Sequence, residues 1–337
     1  YEKKQCSIVR QLSFYHHLSR LAIICTSFLI SCNDKEDDVM PSYQDENWWV
    51  NKDNPNSVLD HAIYQAYELY GVPIFYNDTI GSQDRGTDAF GRPNIYYEVI
   101  KLNYTITGNI YGEVPNAYVL SSNEEDIMEG VKLLRDYVLA SFPDFIDVPR
   151  SYLLVDTLHM GLNDKNYLPY IGSAFSGLTT VAVGKLPDIK NMDEKEKRML
   201  AGEILTAQVG TYIYNTYNKT DLDPFYKVLT KDVNEYYGYG NKVDINTAPS
   251  KYSPSYAPCE EYGFLKPAPN RPIIEGELYY FPSRDQDVND YVALYLGFTE
   301  EQVRELYEEA YPHVFKKYGI VKSICTDLIV VDRIRLA

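Results

Sequence analysis

An apolar run from Leu21 to Ile30 decides how much of this chain is available to fold. Four basic residues precede it (Lys3, Lys4, Arg10 and Arg20), and small Ser31 followed by Cys32 closes it. The run is about half the ~20 apolar residues that a helix needs to cross a bilayer. Its length and flanks are those of a secretory signal-peptide core. Residues 1–31 are therefore expected to be a targeting segment that contributes nothing to the fold. The first residue is Tyr1 rather than Met, so translation is expected to start upstream.

The order Phe28-Leu29-Ile30-Ser31-Cys32 resembles a bacterial lipobox, in which cleavage precedes the cysteine and the thiol is lipidated. This implies a lipid anchor at Cys32, which holds a protein to a membrane without spanning it. The acidic stretch Asn33 to Asp38 resembles the surface-export signal of Bacteroidota lipoproteins. The implied location is the outer face of the outer membrane. Residues 32–55 are polar and acidic, with Pro41 and Pro55, and are expected to form a flexible tether. Residues 56–337 are expected to form one domain.

The formal charge is −16, and it becomes more negative once the basic leader is removed. Such a surface repels phosphate backbones, which argues against nucleic-acid partners. Tyr is abundant, with 33 residues against 12 Phe and 2 Trp. A tyrosine offers an apolar face and a polar tip, which suits the margin of a core and also a wet sugar or peptide site. Cys259 and Cys325 are left after Cys6, Cys25 and Cys32 are assigned to the leader and anchor. The compartment permits a disulfide between them, but the spacing does not decide it. No CxxC pair is present to suggest a cysteine zinc site.

Periodicity places several elements. Ser57 is a helix cap ahead of Leu59, Ile63, Ala66 and Leu69. Val72 to Tyr76 is expected to be a strand, followed by a Gly/Asp-rich loop from Gly81 to Pro93 and a second strand at 96–102. Residues 124–140 carry Ile127, Val131, Leu134 and Val138 on one helical face. Tyr152–Val155 and Leu178–Val183 are expected to be buried strands, with a polar turn at Asn163–Asn166 between them. Asp193 with Glu196 forms a capping-box pair for a helix whose stripe runs through Leu200, Ile204, Leu205, Val209, Tyr212 and Ile213. Irregular structure is expected to about residue 275, then a helix over 287–296 and another from Thr299 to about Lys317. The fold class is α+β, with a mostly helical C-terminal half.

Chemical motifs are sparse. His61, His159 and His313 are the histidines outside the leader, and no two are spaced to share a helix face. There is no GxSxG elbow, no GxxxxGK[ST] phosphate loop and no GxGxxG. Asp285 to Asp290 begins like a calcium loop, but Asp290 stands where glycine is needed and Leu296 where a bidentate Glu is needed. An acidic helix start accounts for the same residues.

Gly202-Glu203-Ile204-Leu205-Thr206 occupies the place in the capped helix where a zinc metallopeptidase carries His-Glu-x-x-His. The order of pieces around it resembles the zinc metallopeptidase-like lipoproteins that accompany Sus-type outer-membrane importers in Bacteroidota. The pieces are Leu59 to Tyr76, Tyr236-Tyr237-Gly238, Asn289 to Ala293, and the end with Asp332, Ile334 and Arg335. The resemblance implies a zincin-like single domain over most of residues 56–337. It also implies that Glu203 is a vestigial general base and that Gly202, Thr206, Asn289 and Ala293 are vestigial metal positions. Gly202 has no side chain and Thr206 has only a hydroxyl, so the zinc of the parent family is not expected here. The expected role is a catalytically inactive accessory that captures oligosaccharide or peptide for an importer. Tyr236, Tyr237, Tyr252 and Tyr256 are candidate contact residues. Two alternatives stand beside it: a metallohydrolase with shifted ligands from His159 or His313, and a purely structural importer subunit.

Overall fold

The structure, a computed structural model, describes residues 46–102, 117–161, 170–228, 258–269 and 281–335. Among these residues the elements run α1 (Val58–Tyr70), β1 (Ile74–Phe75), β2 (Thr79–Thr87), β3 (Pro93–Val99), β4 (Ala117–Leu120), α2 (Glu124–Leu133), β5 (Ser151–Met160), β6 (Tyr170–Ile171), β7 (Ala174–Ser176) and β8 (Thr180–Val183). Helices follow: α3 (Leu186–Ile189), α4 (Glu194–Tyr217), α5 (Asp223–Tyr226), α6 (Arg284–Gly297), α7 (Glu300–Tyr307) and α8 (Pro312–Arg335). The architecture is mixed α+β, and among the described residues no strand follows β8. No described helix is long and apolar enough to cross a membrane.

The ten-residue strand β5 is the axis of a six-stranded sheet. Its first half lies between β1 and β8, both parallel to it. Its second half pairs antiparallel with β4 and β6. β7 pairs antiparallel with β8 at the end of the path. Side chains alternate across a strand with period two, and both faces of this sheet are covered. Tyr152, Leu154, Val181 and Val183 face the main helical core. Leu153, Val155 and Ala182 face a smaller cluster with Ile100 and Met160. Burial on both sides explains why these strands read as continuous apolar runs.

The two ends of the sheet differ. At β1, the Asn51 side chain donates from Nδ2 to the Ile74 carbonyl at 3.0 Å and accepts from the Ile74 N–H at 2.9 Å. It thereby mimics a neighbouring strand. At β7 nothing comparable occurs among the described residues.

Several expectations are corrected. The compact unit begins at Trp48, so residues 48–55 belong to the domain and not to the tether. Trp49 Nε1 donates to Glu98 at 2.9 Å, and Arg150 stacks over the Trp49 ring. The expected loop at Gly81–Pro93 is largely strand, because β2 and β3 form a twisted antiparallel hairpin with two register shifts. The helix from Glu124 changes to π-type turns at Leu134–Val138 and a 3-10 turn at Leu139–Ser141. The helix expected over 299–317 is two helices, α7 and α8, broken before Pro312, which cannot donate to the preceding turn. Leu69 and Tyr212 are exposed and leave their expected stripes. Cys259 and Cys325 are both buried and form no disulfide with each other, and burial pushes the Cys325 thiol up to about 12. The leader, Cys32, the turn at 163–166 and Tyr236, Tyr237, Tyr252 and Tyr256 lie outside the described residues.

Candidate functional site: a groove along the open edge of β7

Helix α4 runs beneath β7 and carries the residues that the sequence singled out. Its start is the expected capping box: Asp193 Oδ1 accepts from Glu196 N at 2.8 Å and Glu196 Oε2 from Asp193 N at 2.9 Å. Antiparallel to α4 lies α6, and the two approach at small residues. A β-carbon on Gly202 would stand 2.0 Å from the Ala293 carbonyl oxygen. One on Gly297 would meet the Arg198 carbonyl oxygen at 2.2 Å. Small residues at such a crossing let two backbones touch where any side chain would hold them apart.

This crossing tilts Glu203, Thr206 and Ala207 toward a cleft of about 280 Å³, with Asp285, Gln286, Asn289 and Asp290 of α6 opposite. The cleft is closed by Tyr170 and Ile171 of β6, residues 172–174, Lys185, and the 266–269 segment. Glu203 and Asp290 are only 18% and 19% exposed at the side chain. Lys266 Nζ forms an ion pair with Glu203 Oε1 and lies 3.8 Å from Asp290 Oδ1. Burial pushes the Asp290 carboxyl up to about 6, against the opposing pull of Lys266. Burial likewise pulls the Lys266 and Lys185 ammonium groups down.

Lys266 is delivered by a buried anchor. Gly263 ends a 3-10 turn (Cys259–Tyr262) in the left-handed region, with φ +66°. Its carbonyl accepts from Tyr291 Oη at 2.9 Å and from Lys317 Nζ at 2.8 Å. The same ammonium contacts Asp287 Oδ2 at 2.6 Å, with the rings of Phe225, Phe264 and Tyr291 around it. A charge this deep is tolerated only when it is paired and hydrogen-bonded. Here the pairing fixes the segment that reaches the cleft three residues later.

The second pocket, about 550 Å³, lies at the other end of β7. It is lined by residues 145–150 and 176–181, by Gln208, Val209, Tyr212 and Tyr217 of α4, and by Leu328. Val148, Leu178 and Tyr212 on its rim are exposed. Between the pockets runs the β7 edge. Gly184 N donates to the Ser173 carbonyl and Gly177 N to the Thr180 carbonyl. Antiparallel alternation then directs residues 173, 175 and 177 toward β8 and the backbone groups of Ala174 and Ser176 away from it. Those outward groups have no partner among the described residues.

The zinc implied by the resemblance does not fit this residue set. Position 202 faces the α6 backbone rather than the cleft, and the Ala293 carbonyl fills the space a ligand side chain would need. Thr206 Oγ1 donates to the Gly202 carbonyl at 2.8 Å. Asn289 lines the cleft, but its Oδ1 is buried without a hydrogen bond from the described residues and lies 2.4 Å from where a β-carbon on Gly210 would stand. Glu203 is engaged by Lys266. Neither His159 nor His313 lines the cleft, and among the described residues no three His, Cys, Asp or Glu side chains converge as a metal site. Asp285 to Asp290 is helix, so the calcium loop does not form. Sequence reasoning missed Lys185 and Lys266. The only local hints were Gly184 after an apolar strand and Pro267 with Pro269 beside Lys266.

Compared with protein-family models, curated proteins and solved structures, the chain matches none of them.

Proposed function

We propose that this chain is a surface-tethered capture protein that holds extended peptides in the groove along β7 and does not hydrolyse them. The observation that carries the reading is the edge of β7, which pairs with no further strand among the described residues and has the outward backbone groups of Ala174 and Ser176 lying between two pockets. An extended peptide satisfies such an edge by adding a strand, and pockets on either side select its side chains. A sugar has no use for a row of alternating N–H and C=O groups, so the edge favours peptide over oligosaccharide.

The zincin-like reading of the fold rests on the sequence resemblance and on the placing of Glu203 on a capped helix beneath an edge strand. Hydrolysis is disfavoured because the groups that would hold a metal are missing or turned away. An ammonium also occupies the carboxylate that would activate water. The lipobox at Cys32 and the acidic run after it support a lipid anchor on the outer membrane facing outward. The resemblance supports a Sus-type importer as the partner that receives the captured peptide.

The test is binding of labelled peptides to residues 46–337, followed by fluorescence polarisation. Ser176→Pro removes one outward N–H without touching a bond to β8, and proline is tolerated on an edge strand. Saturable binding that this substitution weakens at least tenfold is expected. Binding that Ser176→Pro leaves unchanged would rule out edge pairing.

A further inference from the structure

Lys185 has no role in the arrangement described so far. Its backbone lies in the left-handed region, with φ +63° and ψ +25°, and it is the one non-glycine residue to do so among the described residues. A side chain there costs roughly 1–2 kcal/mol, and such strain tends to persist where the surroundings over-determine it. Here they do. On one side Gly184 is pinned to Ser173, and a β-carbon on it would meet the Gly172 carbonyl oxygen at 2.6 Å. On the other, Leu186 is fully buried. The turn leaves the half-buried Lys185 on the cleft wall.

No hydrogen bond or ion pair reaches the Lys185 ammonium from the described residues. Asp188 and Asp290 act on it only through longer-range attraction. Glu203 does not compete for it, because Lys266 holds that carboxylate. A partly desolvated ammonium without an acceptor is costly, and an anion from outside would offset that cost.

The direction of β7 says which anion. The strand runs from Ala174 at this cleft to Ser176 at the second pocket. A peptide pairing antiparallel on the open edge would run the other way and end at Lys185 with its C-terminus. A parallel peptide would bring an α-ammonium to Lys185 and meet like charge. Building on the capture reading above, we propose that Lys185 binds the C-terminal carboxylate of a peptide lying antiparallel on β7. An apolar side chain about three residues upstream then reaches the second pocket, since a strand advances about 3.4 Å per residue.

The experiment uses a panel of N-terminally labelled hexapeptides with an apolar residue at each position in turn. Every peptide is made with a free and with an amidated C-terminus. On the wild-type protein the free form is expected to bind at least tenfold tighter than the amide. In Lys185→Asn, whose side chain tolerates the left-handed turn, that ratio should fall to about one while the melting temperature does not drop. Lys185→Arg should keep most of the ratio. Equal binding of both forms, still weakened by Ser176→Pro, would overturn the carboxylate anchor and leave peptide capture standing. Absence of binding by every peptide would remove both. Tighter binding of oligogalacturonate, whose carboxylates carry no peptide backbone, than of any free-carboxylate peptide would overturn the peptide assignment.

Discussion

Gly202 and Ala293 are in backbone contact: a β-carbon on Gly202 would lie 2.0 Å from the Ala293 carbonyl oxygen. Two of the four positions that the resemblance marks as vestigial metal positions therefore face each other across a helix crossing. Gly202→Ala is expected to cost about 1–3 kcal/mol or more, because the obstacle is backbone and cannot rotate away. Gly319→Ala on α8, where nothing lies within 4 Å, serves as the control and should cost nothing or gain up to ~1 kcal/mol. Urea denaturation of both variants decides it. The pair Gly202→His with Thr206→His should lose cooperative melting and show no rise in Tm on adding zinc.

Lys317 and Asp287 form the most deeply buried ion pair among the described residues, at 2.6 Å. Lys317→Met removes the ammonium paired with the buried Asp287 carboxylate and is expected to cost about 3–5 kcal/mol. Adding Asp287→Leu should recover a large part of that loss. If the double variant is no more stable than the single one, the cost lies in the bond to the Gly263 carbonyl and not in the lost pairing with Asp287.

Asp290 gives a pH signature. Burial raises its carboxyl to about 6 in the folded protein, above the ~3.9 of an unfolded chain. The folded state thus binds this proton more tightly, and the group's contribution falls as pH rises through the window from about 4 to 6. Above that window the ionised form costs on the order of 1–3 kcal/mol. Asp290→Asn should therefore be more stable than wild type near pH 7.5 and about equal to it near pH 4. Denaturation curves at the two pH values check this, and equal stability at both would mean that Lys266 compensates the buried charge.

The capping box at the start of α4 should respond locally. Asp193→Ala removes the acceptor for Glu196 N and is expected to cost about 1 kcal/mol, or a few degrees in Tm. Asp193→Ser should restore most of it, measured by thermal melting.

Local signals were legible in the sequence. Ser57, Asp193 and Thr299 each cap a helix as expected, since a cap needs only its own first turn. The apolar spacing of 124–140 and 193–213 marked the buried faces correctly except at Tyr212, which a neighbouring pocket leaves exposed. The 81–93 segment reads as a loop because its residues are polar, whereas pairing with β3 gives it strand character. Asn51 reaching Ile74 had no local signature at all.

The sequence by itself determined the capped helix starts at Ser57, Asp193 and Thr299, the buried strands at 152–155 and 180–183 and the helix bearing Glu203, because capping and periodicity act within a few residues. Only the tertiary structure decided what Glu203 faces. Lys266, 63 positions away, reaches it because Lys317 and Tyr291 hold the Gly263 carbonyl, and that anchor joins three separate segments of the chain. The close fit of Gly202 to Ala293, the left-handed turn at Lys185 and the open edge of β7 likewise arise from packing between distant segments.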